Sequence, residues 1–139
     1  MELIAAVRQD DIVRISALIE SGADVNHAAF ITDYTPLMWS KSAVATRMLI
    51  DAGADVHARD RQGHTPLMWV ISKHNIPDQA ARIAKELIDA GADVNAKDNK
   101  GMCPLDWAWH HRNRLRDLPV VRIAEELVFT IEAAKRAIG

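Results

Sequence analysis

Apolar residues recur at helical spacing in three stretches of the chain: Ile12, Ile15, Leu18 and Ile19; Val44, Met48 and Leu49; and Ala80, Ile83, Ala84, Leu87 and Ile88. Each set marks one face of an amphipathic helix. Each also runs into a glycine, Gly22, Gly53 or Gly91, and a glycine there supplies the left-handed residue that ends a helix. Upstream of the second and third sets lie two apolar blocks, Leu37-Met38-Trp39 and Leu67-Met68-Trp69, opened by Thr35-Pro36 and Thr65-Pro66. Threonine is a good N-cap and proline loses no donor at the first helical position, so each block predicts a further helix, and Pro104 opens another. Between a glycine stop and the next start runs a short polar stretch such as Ala58-Arg59-Asp60-Arg61-Gln62-Gly63-His64. Its glycine marks a hairpin turn.

These elements repeat. Gly22-Ala23-Asp24-Val25-Asn26 returns as Gly53-Ala54-Asp55-Val56-His57 and as Gly91-Ala92-Asp93-Val94-Asn95, after steps of 31 and 38 residues. Thr35-Pro36-Leu37-Met38-Trp39 returns as Thr65-Pro66-Leu67-Met68-Trp69 and, degraded, as Cys103-Pro104-Leu105-Asp106-Trp107. Unequal steps with an unchanged motif phase mean that one unit is shortened and the next lengthened within a loop. Helix, turn, helix and hairpin at a period near ~33 resembles the ankyrin repeat family. The resemblance covers essentially the whole chain, as units of about 1–29, 30–59, 60–97 and 98–139 in a single domain. It implies an all-α fold, a solenoid of about four helix-turn-helix units with projecting hairpins. It also implies a function, holding another protein in the concave groove made by the hairpins and first helices.

The chain departs from the family pattern in several places. Histidine usually follows Thr-Pro-Leu in this family and links neighbouring repeats, but Met38, Met68 and Asp106 stand there, so those polar cross-ties are expected to be missing. Trp39, Trp69 and Trp107 recur in phase, which predicts one stacked indole per repeat in a continuous core rather than an aromatic ligand cage. The first hairpin is one residue longer than the others and has Asp33 where they have Gly63 and Gly101. Its Phe30, Ile31 and Tyr34 give it an aromatic tip that either contacts a partner or, for Phe30 and Tyr34, folds back as core; both readings stand at this point. The stretch Ile71 to Asp78 reads as an extended loop, with Pro77 restarting the second helix, and His110 to Asp117 reads as a similar polar segment before Pro119. Two such loops form one contact surface or are solvent-exposed drift.

Composition narrows the function. With 49% hydrophobic residues the chain buries a core, yet no run reaches the roughly 18 apolar residues a membrane helix needs. The N-terminus shows no signal peptide, so a cytoplasmic location is expected. Seventeen Lys and Arg against nineteen Asp and Glu leave a formal charge of −2, which argues against nucleic-acid and anionic-membrane binding. One cysteine, Cys103, makes no internal disulfide. The six histidines show no HExxH, no i, i+4 pair and no Cys-His ligand string, so no metal, cofactor or catalytic residue is expected. Cys103 replaces a capping Thr, at a loss of roughly 1 kcal/mol of cap.

Charge placement says more than net charge. Arg59, Arg61, Lys97 and Lys100 sit on two successive hairpins, and Lys41, Lys73, Arg112, Arg114 and Arg116 fall at the ends of first helices or beside them, which makes the groove side basic. An acidic partner surface complements it. The expected contact residues are Ile31, Thr32, Tyr34, Arg59, Arg61, Gln62, His64, Ser72, Lys73, Lys97, Asn99, Lys100, Met102, His110 and His111. The chain therefore reads as a non-catalytic protein-binding module, specialised as a small inhibitor or immunity-type protein that masks an enzyme. The alternatives are a self-associating scaffold and, from another class, a His/Cys-based enzyme or metal-binding protein. The sequence leaves the oligomeric state open, with a monomer as the simpler expectation.

Overall fold

The computed structural model describes residues 2–73, 77–104, 106, 107, 110, 129, 132, 133, 136 and 137. Among the described residues, five α-helices and one 3₁₀ turn have both ends placed: α1 (Glu2–Arg8), α2 (Ile12–Glu20), the 3₁₀ turn (Pro36–Trp39), α3 (Ala43–Asp51), α4 (Pro66–Lys73) and α5 (Pro77–Asp89). No strand occurs among the described residues. Each first element packs on the second of its own unit, α1 on α2, the 3₁₀ turn on α3 and α4 on α5. The first elements touch along one row and the second helices along another, giving a two-layer stack.

The repeated motifs build this stack locally. The Asp11 carboxylate accepts from Arg14 N–H at the start of α2, and the Ser42 hydroxyl accepts from Ala45 N–H at the start of α3. Each second helix stops in the same way. Gly22, Gly53 and Gly91 take φ values of +91°, +98° and +96°, and the next N–H reaches back five residues, from Ala23 to Leu18, Ala54 to Leu49 and Ala92 to Leu87. The turn then buries Val25, Val56 and Val94 beneath the stack. Ile15, Leu37, Leu49, Leu67, Ile83 and Leu87 form the centre of one continuous core.

Unit length is adjusted differently from the sequence-based expectation. Between Thr35 and Gly53 the shortening falls on the first helix, which contracts to a four-residue 3₁₀ turn. Thr35 is consequently not a side-chain cap. Met38 N–H bonds to the Thr35 carbonyl, and the Thr35 hydroxyl is buried without a partner. Thr65 does serve, its hydroxyl accepting from Met68 N–H at 3.4 Å. In the longer unit α4 continues through Lys73, with Ile71 buried, into the stretch expected to be loop, while α5 begins at Pro77 where the restart was expected; residues 74–76 lie outside the described residues. At the next start Asp106 Oδ2 accepts from Cys103 N–H at 2.9 Å, a carboxylate reaching back to the cap residue that offsets the missing hydroxyl.

Candidate functional site

Among the described residues three hairpins project from the stack, and two are folded by the same device. Asp60 Oδ1 accepts from the N–H groups of Gln62 and His64 at 2.8 and 2.9 Å, and Asp98 Oδ1 from those of Lys100 and Met102 at 2.8 and 3.0 Å. The second oxygen of each carboxylate turns inward to an indole nine residues on, Trp69 at 2.8 Å and Trp107 at 3.0 Å. Each aspartate therefore folds its own hairpin and fixes that hairpin to the first helix behind it. Ala29 occupies this place in the first hairpin, because Ala29 N–H bonds the Tyr34 carbonyl as Asp60 N–H bonds that of His64. It offers no carboxylate to Trp39.

His64 joins two of these units. Its Nδ1 lies 3.2 Å from Asp60 Oδ2 and its Nε2 3.4 Å from Asp98 Oδ2, with all three side chains buried. A doubly protonated ring donates to both carboxylates, whereas a neutral ring donates to one and turns a lone pair on the other. The expected loss of polar cross-ties is thus corrected: a histidine one place before the Thr-Pro start supplies the link. For the same reason His64 is not a surface contact residue. Burial pushes the Asp98 carboxyl up, but the N–H groups of Met102 and Lys100, the Trp107 indole and the charge of His64 outweigh it and hold the group below its ordinary value of 3.8. A depressed carboxyl stabilises the fold above its unfolded value and loses that contribution as pH falls through the folded one. Urea midpoints measured from about pH 5 down to about pH 2 are expected to fall more steeply in the parent than in Asp98→Asn.

The residue before each start also packs on the next repeat. Tyr34 sits edge-on to Trp39 and Trp69, with centroids 5.7 and 4.5 Å away, and His64 is edge-on to Trp107 at 5.7 Å. Trp39 and Trp69 lie 5.8 Å apart, and the Arg8 guanidinium covers the Trp39 ring at 4.7 Å. Trp69 is buried, while Trp39 and Trp107 are half-buried against the core. The indoles are packing elements, as expected, and Tyr34 belongs with them while remaining partly exposed.

Hairpin is tied to hairpin at the outer edge. Asn26 donates to the Gly53 carbonyl at 3.1 Å and accepts from Asp55 N–H at 2.7 Å. Arg59 donates to the Lys97 carbonyl at 2.7 Å, and Asn99 donates to the carbonyls of Arg61 and Gln62, each at 3.0 Å. Asn99 presses so closely on the second hairpin that a Cβ at Gly63 would lie 2.6 Å from its side-chain oxygen, and φ there is +80°. Both facts require glycine. Arg61 reaches the other way, to the Phe30 carbonyl at 3.0 Å and the Asp33 carboxylate at 3.3 Å.

Asp33 has φ +59°, so the first hairpin keeps the left-handed turn of Gly63 and Gly101 despite its extra residue. Relief of that strain favours Asp33→Gly, while loss of the Arg61 pair, whose side chains are half exposed, opposes it. In an Arg61→Ala background only the relief remains. There, Asp33→Gly is expected to raise the chemical denaturation midpoint, by about 0.5 kcal/mol.

Of the expected contact residues, Ile31, Arg59, Arg61, Gln62, Lys97, Asn99, Lys100 and His110 are exposed and Thr32 and Met102 are partly so. His110 stands edge-on to Trp107 at 6.1 Å. The side chains of Ser72 and Lys73, and all of His111, lie outside the described residues, as do Arg112, Arg114, Arg116 and the rest of the polar segment before Pro119. Phe30, which the sequence left open, is 91% exposed beside Ile31 at 74%. The roles of Asp60 and Asp98 carried a signal in the constant nine-residue spacing to Trp69 and Trp107.

Among the described residues no three His, Cys, Asp or Glu side chains are arranged to hold a metal ion, and no helix is long and apolar enough to cross a membrane. Residues 41–123 match a family model for ankyrin repeats in three copies. A 69-residue stretch is 38% identical to the 2-5A-dependent ribonuclease of Mus musculus, covering 48% of this chain and 9% of that protein, so the chain spans less than a tenth of the relative's length. With a first element packed on a second helix in three successive units and a model match over more than half its length, the chain belongs to the ankyrin repeat family.

Proposed function

We propose that this chain holds a partner protein against its hairpin tips and concave groove, and that masking that partner, as a small inhibitor or immunity-type protein does, is its activity. Ankyrin repeats are in general protein–protein interaction modules. The observation that carries the reading here is the hairpin row: its tips are locked to one another by side chain to main chain bonds and still present Ile31, Arg59, Arg61, Lys97 and Lys100 to solvent. A surface ordered before it binds loses little conformational freedom on association. Lys97 and Lys100 make no ion pair among the described residues, so their charge is free to steer an acidic surface.

A photo-reactive residue placed at position 100 and, in a second variant, at position 44 on the outer helix tests this in cells. An adduct is expected from position 100 alone. With the captured protein purified, Lys97→Ser/Lys100→Ser is expected to slow association several-fold and to flatten its salt dependence, leaving dissociation unchanged. Equal cross-linking from both positions, or an unchanged on-rate, contradicts the proposal.

A further inference from the structure

We propose that Trp39 and the base of the first hairpin form a receptor for a carboxylate from outside the chain, which takes the place that Asp60 and Asp98 fill in the next two units. The three hairpins share one frame. Ala29 N–H bonds the Tyr34 carbonyl as Asp60 and Asp98 bond those of His64 and Met102, and Asp33 N–H returns to the Ala29 carbonyl as Gly63 and Gly101 return to those of Asp60 and Asp98. In the second and third hairpins the carboxylate gathers two backbone N–H groups and an indole N–H. The first hairpin keeps such donors and lacks the acceptor. Ile31 N–H lies two residues after Ala29 as Gln62 does after Asp60, Tyr34 N–H lies in the place of His64 N–H, and Trp39 carries the indole. None of the three has a hydrogen-bond partner among the described residues. The Thr35 hydroxyl, next to Tyr34 in the chain, is the one buried side-chain polar atom without a bond among them.

This donor set fits a carboxylate in particular. Asp60 and Asp98 each span it with two oxygens, one on the backbone groups and one on the indole, which a single-centre anion does not reproduce. Ala29 and Trp39 are partly exposed, whereas Asp60, Asp98 and Trp69 are buried, so a solute reaches the first site alone. The charges favour an anion. The Arg8 guanidinium covers the Trp39 ring at 4.7 Å and makes no ion pair among the described residues. Asp33 on the same hairpin opposes an incoming carboxylate, but Arg61 pairs with it at 3.3 Å, which leaves Arg8 uncompensated. An acidic side chain of a bound protein and a small free acid offer the same group. The inference rests on the donors rather than on the partner-binding reading, and it covers both sources.

Nitrogen–proton NMR of the whole chain tests this, with sodium acetate added to about 200 mM against sodium chloride at equal ionic strength. The Trp39 indole and the Tyr34 amide are expected to move downfield and saturate, with a midpoint on the order of 10–100 mM for so small an acid. The indoles of Trp69 and Trp107 are expected to stay in place, since Asp60 and Asp98 already occupy them. Ala29→Asp supplies the acceptor within the chain: the Trp39 indole is expected downfield without acetate, with the acetate response lost and the melting temperature raised by a few degrees. Trp39→Phe keeps a ring and is expected to weaken the acetate response of the Tyr34 amide several-fold. N-acetyl-aspartate N-methylamide separates the sources. Binding several-fold tighter than acetate assigns the site to an acidic side chain of a protein, and equal or weaker binding to a small free acid. A Trp39 indole that ignores acetate overturns the proposal. So does an equal response to chloride, a response shared by all three indoles, or one that survives in Ala29→Asp.

Discussion

Trp69→Ala is expected to cost about 3–5 kcal/mol, a large part of the stability of a domain this size. The indole is buried, touches both Tyr34 and Trp39, and holds Asp60 through its N–H. Truncation opens a cavity between the first elements of two units and leaves a buried carboxylate short of a donor. Trp69→Phe separates these effects, because it keeps a ring against Tyr34 and loses only the bond to Asp60, at about 1–3 kcal/mol. Urea unfolding of the two variants measures both. An Ala variant with the parent's midpoint would remove the indole from the core and return it to the role of a ligand contact.

His64→Ala is the second large effect, at about 3 kcal/mol, since breaking a buried charged cluster leaves uncompensated charge behind. Asp60 and Asp98 each retain three donors, two backbone N–H groups and an indole, which keeps the cost toward the lower end. The two carboxylates nevertheless lose the ring between them and repel. Because His64 ties the second hairpin to the third, its loss weakens one interface of a stack whose stability is a sum over neighbours. Unfolding is expected to lose cooperativity as well as midpoint. Asp98→Asn in the His64→Ala background is expected to recover part of the loss, with a coupling of about 0.5–3 kcal/mol between the two positions. Additive costs would show that the ring and the carboxylate do not interact.

The helix stops were legible in the repeated Gly-Ala-Asp-Val motif, since the glycine conformation is local. The first elements were legible only in part. Thr35 to Trp39 and Thr65 to Trp69 are the same pentapeptide, yet one is a 3₁₀ turn and the other begins an α-helix. The residues immediately downstream make the difference: Val70 and Ile71 carry α4 into the core, whereas Ser40 bonds Thr46 and the Ser42 carbonyl, and Ser42 caps α3. His64 read as a polar hairpin residue, because its burial depends on carboxylates from two hairpins far apart in the chain. Phe30 was undecided for a related reason. No periodicity governs a residue at a hairpin tip, and its exposure follows from Arg61 of the next unit holding the tip outward by its carbonyl.

Hydrogen exchange of the chain alone and in complex with its captured partner tests most directly whether that partner is gripped on the hairpin side. Added protection is expected across residues 29–34, 58–64 and 96–102, with α2, α3 and α5 exchanging as they do in the free chain. Protection confined to those three outer helices, with the hairpins unchanged, would contradict a hairpin-side grip.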